Sequence, residues 1–519
     1  MLRNKKTIGE IAMNRKTGVI LSYVMMIFEV LSTLLLTPFI IRTLGQAEYG
    51  VYKLSASVVA YLLLLDLGVG NAITRYIAKF RASGEKEKSQ KFLGVATIYY
   101  SVIAIVAIIA GIIFIGVFPK AFAKGLTADE IRLGQKLLFI TMINAAVTLG
   151  TAAYNNVIIA YEQFAVSKGA SIAQIIIRMA FTVVALKCGL GSVGIVTVNL
   201  IMTVLGRGFF VLYVLFRIKL LPKFKGFDAG FIKEIVVYSS MILLQMIATQ
   251  LNATVDQVLI GSLVASSSTI LAVYSVGTQV TQYYQSIGTA FTGVLMPGIV
   301  NMVEHGADAK ALADEMIRIG RIIFIVLGLI LGGFLVCGQQ FITLWAGKEN
   351  NDAYLVALIL MIAHMFILTE SVGTQILWAM NQHKEQAILK IVIVLLNMLL
   401  TIALIKWQPL IGATIGTFIS LILGDVVVMN VIFCKKLKIN LWYYYKGLAR
   451  GIFPSVIIAT AVGLVVRCFW ENGGWFGLAS KAVIICFVYA LCMLLFGMNR
   501  YEKNLAFSIL KKIKLGRNK

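Results

Sequence analysis

The sequence predicts an all-α integral membrane protein, and three observations carry that prediction. Of 519 residues, 59% are hydrophobic and only 13% charged, about half the charged share of soluble domains. Apolar runs of about 20 residues, the length that crosses a hydrocarbon core as a helix, recur from end to end. The remaining charges lie mostly between those runs and are biased in sign: 47 Lys and Arg against 23 Asp and Glu, a net charge of +24.

By length, the runs predict fourteen crossings: 17–41, 48–70, 92–117, 137–160, 169–187, 192–215, 235–261, 269–297, 319–344, 354–380, 387–406, 410–433, 450–468 and 481–498. Arg178 and Gln174 interrupt the fifth. With both termini cytoplasmic, the inside segments collect 34 Lys and Arg and the outside segments 10, while Lys53, Arg178 and Arg207 lie within crossings. Lys and Arg resist translocation, so this bias predicts the orientation. Removing one crossing would invert everything after it. The positive charge is spread over many short loops instead of one face, which argues against nucleic acid as its partner. Basic loops hold topology and meet anionic headgroups. The basic segment 1–16 precedes an apolar run too long for a signal peptide and without a cleavage site, so it leads into an uncleaved first crossing. Six cysteines show neither a CxxC nor a metal-ligand spacing.

The first hairpin sets the plan. One apolar run ends at Ile41, a polar turn follows over 42–48, and a second run crosses back from Tyr49. Gly45 suits the left-handed position that closes a helix. Tyr49 and Tyr52 fall at the water–lipid boundary, and Arg75, Lys79, Arg81, Lys86, Lys88 and Lys91 mark the cytoplasmic end. The segments 301–321 and 500–519 read as amphipathic surface helices. A weak repeat is visible. Residues 50–76 lie on 272–298, pairing Val51-Tyr52 with Val273-Tyr274, and residues 151–164 lie on 370–383, pairing Gln163 with Gln382. Two matches at nearly one shift predict two parallel six-helix halves, a transporter arrangement. The organisation is then a basic N-terminus (1–16), an N-lobe (17–215), a cytoplasmic linker (216–234), a C-lobe (235–433), two further crossings (450–498) and a basic tail (499–519).

Enzyme motifs are absent. No Gly-rich phosphate loop, no Asp-x-Asp and no sizeable outside loop is present, and the histidines are three, His305, His364 and His383. The sequence therefore predicts a transporter without cofactor, driven by a substrate or ion gradient or by the membrane potential. Ionisable residues inside crossings cost about 2.5–3.5 kcal/mol each and are functional suspects: Glu29, Lys53, Asp66, Arg178, Arg207, Asp256, Glu370 and Asp425. Arg178 and Arg207 lie on consecutive helices, and guanidinium forks suit a diphosphate. The blander reading is a set of buried ion pairs, such as Glu29 with Arg178 or Arg207. Lys53 and Asp66 are near helix ends and can snorkel. Asp425 reads as structural, and His364 as a packed polar residue. Gln250, Asn252, Gln282 and Tyr283 suit sugar hydroxyls or a water-filled cavity, or else inter-helix hydrogen bonds.

Arg42-Thr43-Leu44-Gly45, Glu48-Tyr49-Gly50-Val51-Tyr52, Leu67-Gly68, Arg75-Tyr76-Ile77-Ala78 and Arg81-Ala82-Ser83-Gly84 together resemble the N-terminal signature of bacterial oligosaccharide flippases. These are the Wzx-type polysaccharide exporters of the multidrug/oligosaccharidyl-lipid/polysaccharide (MATE-like) superfamily. The run Asp256-Gln257-Val258-Leu259-Ile260-Gly261, followed by Val273-Tyr274-Ser275, is similar to the family in the second half. The resemblance spans roughly 15–435. It implies a V-shaped pair of six-helix lobes around a central cavity, with two extra C-terminal helices. It implies flipping of undecaprenyl-diphosphate-linked repeat units across the bacterial cytoplasmic membrane by alternating access, for an exopolysaccharide, O-antigen or capsule. Arg178, Arg207 and Lys53 would then hold the diphosphate, and Glu29, Asp256 or Glu370 would sense H⁺ or Na⁺. Gln250, Asn252, Gln282 and Tyr283 would contact glycan. Partners would be membrane lipids and the glycosyltransferases and polymerase of the same pathway. Two other transporters remain in view: a cation-coupled multidrug or metabolite exporter, which predicts an acid-dominated cavity, and a lipid II flippase.

Overall fold

Helix breaks, more than loops, shape this chain. The computed structural model describes residues 2–66, 68–224, 229–292, 296–380, 382–470 and 473–516. Leu67, and the side chains of 1–16, His383 and 509–519, lie outside the described residues. Contacts divide the chain into two compact units, Met1–Ala272 and Val273–Lys519.

In the first unit α1 (Leu2–Leu63) is interrupted at Gly45, with φ 75° and ψ 169°, a conformation L side chains rarely adopt. Unbroken, its 62 residues would extend about 93 Å, some three times the hydrocarbon thickness. The break makes it two segments, at the place the sequence marks. A short 3₁₀ turn at Leu64–Asp66 leads to α2 (Val69–Ala82), α3 (Lys86–Phe122), α4 (Ala128–Gly150), α5 (Ala152–Ala160), α6 (Phe164–Lys187) and α7 (Gly191–Leu212). A reciprocal cap between Thr127 and Glu130 opens α4, satisfying amides a helix start leaves free. Glu48, just past the break in α1, accepts a hydrogen bond from Ser192 N at 2.7 Å, so a carboxylate from α1 caps the start of α7. Gly50 lies so close to Ser268 that a Cβ there would sit 1.8 Å from the Ser268 carbonyl oxygen. On α3, Ile98, Val102, Ile105, Ile109 and Ile112 are all exposed. Their spacing of three and four residues makes one apolar stripe, the face turned to lipid.

After α7 the chain passes through π turns (Tyr213–Ile218) and folds back on α3, where Lys223 N donates to Gln90 O at 3.0 Å. It continues as α8 (Ala229–Leu263) and α9 (Ser267–Thr292). The second unit is built on α10 (Met296–Glu304), α11 (Ala309–Ala346), α12 (Ala353–Thr369), α13 (Ser371–Ala379), α14 (His383–Leu404), α15 (Pro409–Leu421), α16 (Met429–Ile432), α17 (Leu441–Ala449), α18 (Ile452–Phe469), α19 (Trp475–Cys492) and α20 (Arg500–Gly516).

The segment 301–321 departs from the sequence reading. It is not one surface helix. α10 stops at Glu304, Gly306 takes φ 71°, and Asp308 caps α11 through Ala311 N at 2.7 Å. The face Leu312, Met316 and Ile319 is buried and opens a helix of 38 residues. Nothing after Asp308 breaks the helix, so the charged turns run on into a span.

Among the described residues nine helices are long and apolar enough to cross a membrane, or ten if α12 and α13, bent by 41°, count as one. The repeat is visible as matched breaks. In the first unit the helix ends at Gly150, Thr151 is the joint, and the nine-residue α5 follows. In the second the helix ends at Thr369, Glu370 is the joint, and the nine-residue α13 follows. Gln163 and Gln382 then stand at the starts of α6 and α14. The sequence shift of 151 onto 370 carries both joints and both starts.

Candidate functional site

In the first unit a cavity of about 200 Å³ lies among α1, α6 and α7. Its polar lining comes from Ser32, Thr33 and Thr37 before the break in α1, Tyr52 and Lys53 after it, and Arg178, Thr182 and Asn199 across from them. Among the described residues no Asp or Glu lines it. Lys53 Nζ sits 5.4 Å from the centre of the buried Tyr49 ring, an arrangement that holds a cation by the ring's electrons. Arg178 is half-buried, lies within electrostatic reach of Tyr52, and makes no hydrogen bond or ion pair among the described residues. Two cations without a lining acid, in a polar hollow, can hold an anion by charge-assisted hydrogen bonds.

The structure thus joins Lys53 with Arg178 and puts Arg207 elsewhere. Arg207 lies within electrostatic reach of Asp66, and Asp66 Oδ1 accepts from Tyr100 Oη at 2.5 Å. The pairing of α6 with α7 explains the separation. Gln174 Nε2 reaches Met202 O at 2.8 Å, so in this antiparallel pair Arg178 lies near Asn199. Arg207, further along α7 in the other direction, is about 13 Å away along the bundle at 1.5 Å per residue. Glu29 is exposed on α1 and pairs with neither arginine among the described residues. The lining hydroxyls and Asn199 escaped the sequence reading, because Ser, Thr and Asn are ordinary in membrane helices.

Asp256 is 3% exposed, near Tyr61 and Thr254. Gln250 and Asn252 are half-buried on the same helix. Gln257 accepts from the Ser57 hydroxyl, joining α8 to α1. In the second unit Gln282 is exposed, and Tyr283 Oη accepts from Gln279 Nε2 at 2.6 Å.

Glu370 occupies the joint between α12 and α13 and is 2% exposed. Its Oε1 accepts from the Tyr445 hydroxyl and from Asn430 Nδ2, the latter at 3.0 Å. Its Oε2, and Asn430 Oδ1, have no hydrogen-bond partner among the described residues. Nearby, Lys390 Nζ lies 2.5 Å from Asp425 Oδ1, and His364 Nδ1 donates to Leu360 O at 2.8 Å. Asp425 is 6% exposed and has Lys390 as its ion-pair partner.

Several signature residues act locally. Arg81 Nη1 donates to Ala160 O at 3.3 Å and lies 5.0 Å from the centre of the Tyr161 ring. It thereby staples the end of α2 to the end of α5. Gly84, with φ 73°, turns the chain into α3.

Three comparisons with known proteins bear on this arrangement. The family described as "Polysaccharide biosynthesis protein" matches residues 16–303, more than half of the chain. The "Uncharacterized membrane protein EpsK" of Bacillus subtilis (strain 168) is 21% identical over 498 residues, covering 92% of this chain and 94% of its own. Among solved structures, "Lipid II flippase MurJ, inward closed conformation" superposes with a TM-score of 0.70 at 17% identity, covering 92% of this chain and 97% of its own. An inward-facing multidrug resistance MATE family transporter superposes with a TM-score of 0.59 at 13% identity, over 80% of this chain and 95% of its own. The fold is that of these flippases and transporters, and the chain is a multi-pass membrane protein that belongs to the polysaccharide biosynthesis protein family.

Proposed function

We propose that this chain flips undecaprenyl-diphosphate-linked oligosaccharide repeat units from the inner to the outer leaflet of the bacterial cytoplasmic membrane, by alternating access. The observation that carries the proposal is the cavity holding Lys53 and Arg178 without a lining carboxylate among the described residues. A guanidinium keeps its charge in a half-buried site, and the diphosphate is the part of such a substrate that needs it. Lys53 and Arg178 bind the diphosphate. Arg207, beside Asp66, stands outside that grip. Gln250, Asn252, Gln282 and Tyr283 are the proposed glycan contacts. Glu29, Asp256 and Glu370 are the proposed H⁺- or Na⁺-sensing acids. The product feeds cell-surface polysaccharide assembly, with glycosyltransferases and a polymerase as pathway partners.

The topology belongs to the same proposal. Among the described residues nine helices qualify as spans, the bent pair adds a tenth, and division of α1 at Gly45 adds another. With α8, α9 and α14 the total is fourteen, and both termini are cytoplasmic by the charge bias.

The test is lipid-linked glycan in depleted cells, measured by mass spectrometry with a membrane-impermeant probe for sidedness. Depletion accumulates a diphosphate-linked repeat unit on the cytoplasmic face. Wild type relieves it; Arg178→Ala and Lys53→Ala, present at normal levels in the membrane, do not. Full relief by both variants defeats the diphosphate grip. The likeness to a lipid II flippase favours one second reading, in which the accumulated species is lipid II and depletion is lethal. No accumulation, with raised sensitivity to cationic dyes, replaces both with an ion-coupled exporter.

A further inference from the structure

In the second unit α11 carries a polar cavity at its C-terminal end, with a lining that shares no residue with the Lys53–Arg178 cavity. Arg321 and Gln339 are 18 positions apart on that helix, about 27 Å at 1.5 Å per residue, close to the hydrocarbon thickness of about 30 Å. The cavity therefore lies one membrane away from the end where Arg321 meets the C-terminal helix. It is an open cleft of about 460 Å³ between the last turns of α11, the turn Lys348–Asn350 and the end of α18, with Lys348 and Arg467 both exposed. Its polar lining is Gln339, Gln340, Thr343, Lys348, Asn351 and Arg467, and no Asp or Glu lines it among the described residues.

The walls are fixed by hydrogen bonds. Arg467 is pinned by Val336 O at 3.2 Å and Gln339 Oε1 at 2.9 Å. Those two contacts use two of the five N–H groups of a guanidinium. Lys481, only 6% exposed, donates to Gln340 Oε1 at 3.1 Å, and Gln340 Nε2 donates to Gly474 O at 3.1 Å. Neither Arg467 nor Lys481 is in an ion pair among the described residues. Trp475 is 53% exposed and meets Phe341 edge-on at 6.5 Å, and Trp470 is also exposed. Exposed tryptophans at a span's end sit at headgroup level.

The charge bias makes this cluster unusual. Lys348, Arg467 and Lys481 are three of the ten Lys and Arg assigned outside by the sequence. Outside cations are what membrane insertion selects against, and here two line one cavity and a third holds its wall through Gln340, with no acid in the lining among the described residues. We infer that this cavity is an anion site that takes the phosphate group of a lipid at the outer headgroup level. The inference rests on the orientation given under Proposed function. Arg467 and Lys348 bind the phosphate oxygens, Gln339 and Asn351 add amide donors, and Lys481 supports the wall through Gln340. A neutral sugar would use the amides and hydroxyls but not the cations. The phosphate has two sources: the diphosphate of a translocated polyprenyl carrier, or a bulk anionic phospholipid.

The test is native mass spectrometry of the purified full chain titrated with polyprenyl diphosphate, phosphatidylglycerol or inorganic pyrophosphate. The variants are Lys348→Gln/Arg467→Gln and, as a milder surface change, Lys348→Glu. Loss of charge-assisted hydrogen bonds lowers lipid binding by about tenfold or more. Preference for polyprenyl diphosphate identifies the carrier as the source, and preference for phosphatidylglycerol identifies bulk lipid; either supports the site. Lipid binding unchanged in both variants, or loss confined to inorganic pyrophosphate, overturns it. Arg178→Gln is titrated alongside. It removes the diphosphate grip of the first unit and leaves the α11 site intact, so failure of one reading is distinguishable from failure of the other.

Discussion

Replacing Glu502 with Ala isolates one buried charge. Arg321 is 5% exposed and Glu502 4%. They form a two-point pair, Nε to Oε1 at 2.6 Å and Nη2 to Oε2 at 3.0 Å. Arg321 also donates to Gly447 O at 2.9 Å, Arg450 O at 2.7 Å and Gly497 O at 2.8 Å. One guanidinium thus ties α11 to the end of α17, the turn before α20, and α20 itself. In Glu502→Ala the carbonyls remain and the counter-charge is gone. Asn499 N also loses its acceptor, Glu502 Oε2, at 2.9 Å. A buried charge left unpaired costs about 3–5 kcal/mol, which is two to nearly four orders of magnitude in a local opening equilibrium at about 1.4 kcal/mol per tenfold. The assay is hydrogen exchange of the 500–516 peptide in the purified full chain, with protection falling by that factor or to none. Arg321→Met/Glu502→Leu removes both charges and restores part of the protection, because the pair's attraction only offsets its desolvation while three carbonyls lose their donor. A loss below about 1 kcal/mol in Glu502→Ala, or a double variant as weak as the sum of the singles, refutes this reasoning.

Gly50→Ala drives a methyl onto the Ser268 carbonyl, 1.8 Å from the ideal Cβ, and overpacking of this kind costs about 1–3 kcal/mol; the thermal midpoint of the purified chain falls, whereas Gly116→Ala, with open space around it, leaves it in place. Glu48→Ala strips the start of α7 of its carboxylate acceptor at Ser192 N and costs about 1–2 kcal/mol, read as faster hydrogen exchange over the first turn of α7. The Glu87 carboxyl is held below the ordinary carboxylate range, chiefly by hydrogen bonding to Lys91 and by the Lys91 and Lys223 charges. Its contribution is therefore full above the unfolded value and is lost as pH falls through the depressed folded value; Lys91→Met and Lys223→Met each raise the Glu87 midpoint in a carbon-13 NMR titration, Lys91→Met by more.

What the sequence made legible is what one segment decides alone. Gly45 could be read because a left-handed turn is a local demand, and the 151-to-370 repeat because Gln163 and Gln382 stand at equivalent helix starts. The site was half legible. Arg178 stood out as an arginine inside an apolar run, but its companion depended on the register of α6 against α7 and on where the break in α1 returns Lys53. Position along the chain suggested Arg207, and packing gave it to Asp66. Arg321 looked like a surface charge because its partner Glu502 is 181 residues away. The segment 301–321 misled for a related reason. A buried stripe such as Leu312, Met316 and Ile319 is the same whether a helix lies on a membrane or is about to enter it.

The repeat gives Glu370 its meaning. The same joint in the first unit is made by Thr151, whose hydroxyl donates to Val147 O at 2.7 Å. A carboxyl is therefore not required to break the helix there. Its burial carries a cost, since Oε2 and Asn430 Oδ1 are both acceptors without a donor among the described residues, on two groups already joined through Oε1 and Nδ2. A buried polar atom left unsatisfied costs about 1–3 kcal/mol. Gln at 370 keeps an oxygen for Asn430 Nδ2 and Tyr445 and adds an amide donor where the second oxygen was. Glu370→Gln is therefore expected to leave the fold intact and raise stability by up to that amount, measured as the thermal midpoint of the purified chain. A drop of more than about 1 kcal/mol would show that the charge itself holds the joint. Export assayed in the same variant then separates the roles. Stability retained with export lost assigns the acid to ion coupling, because the isosteric amide differs from it chiefly in its inability to gain and release a proton.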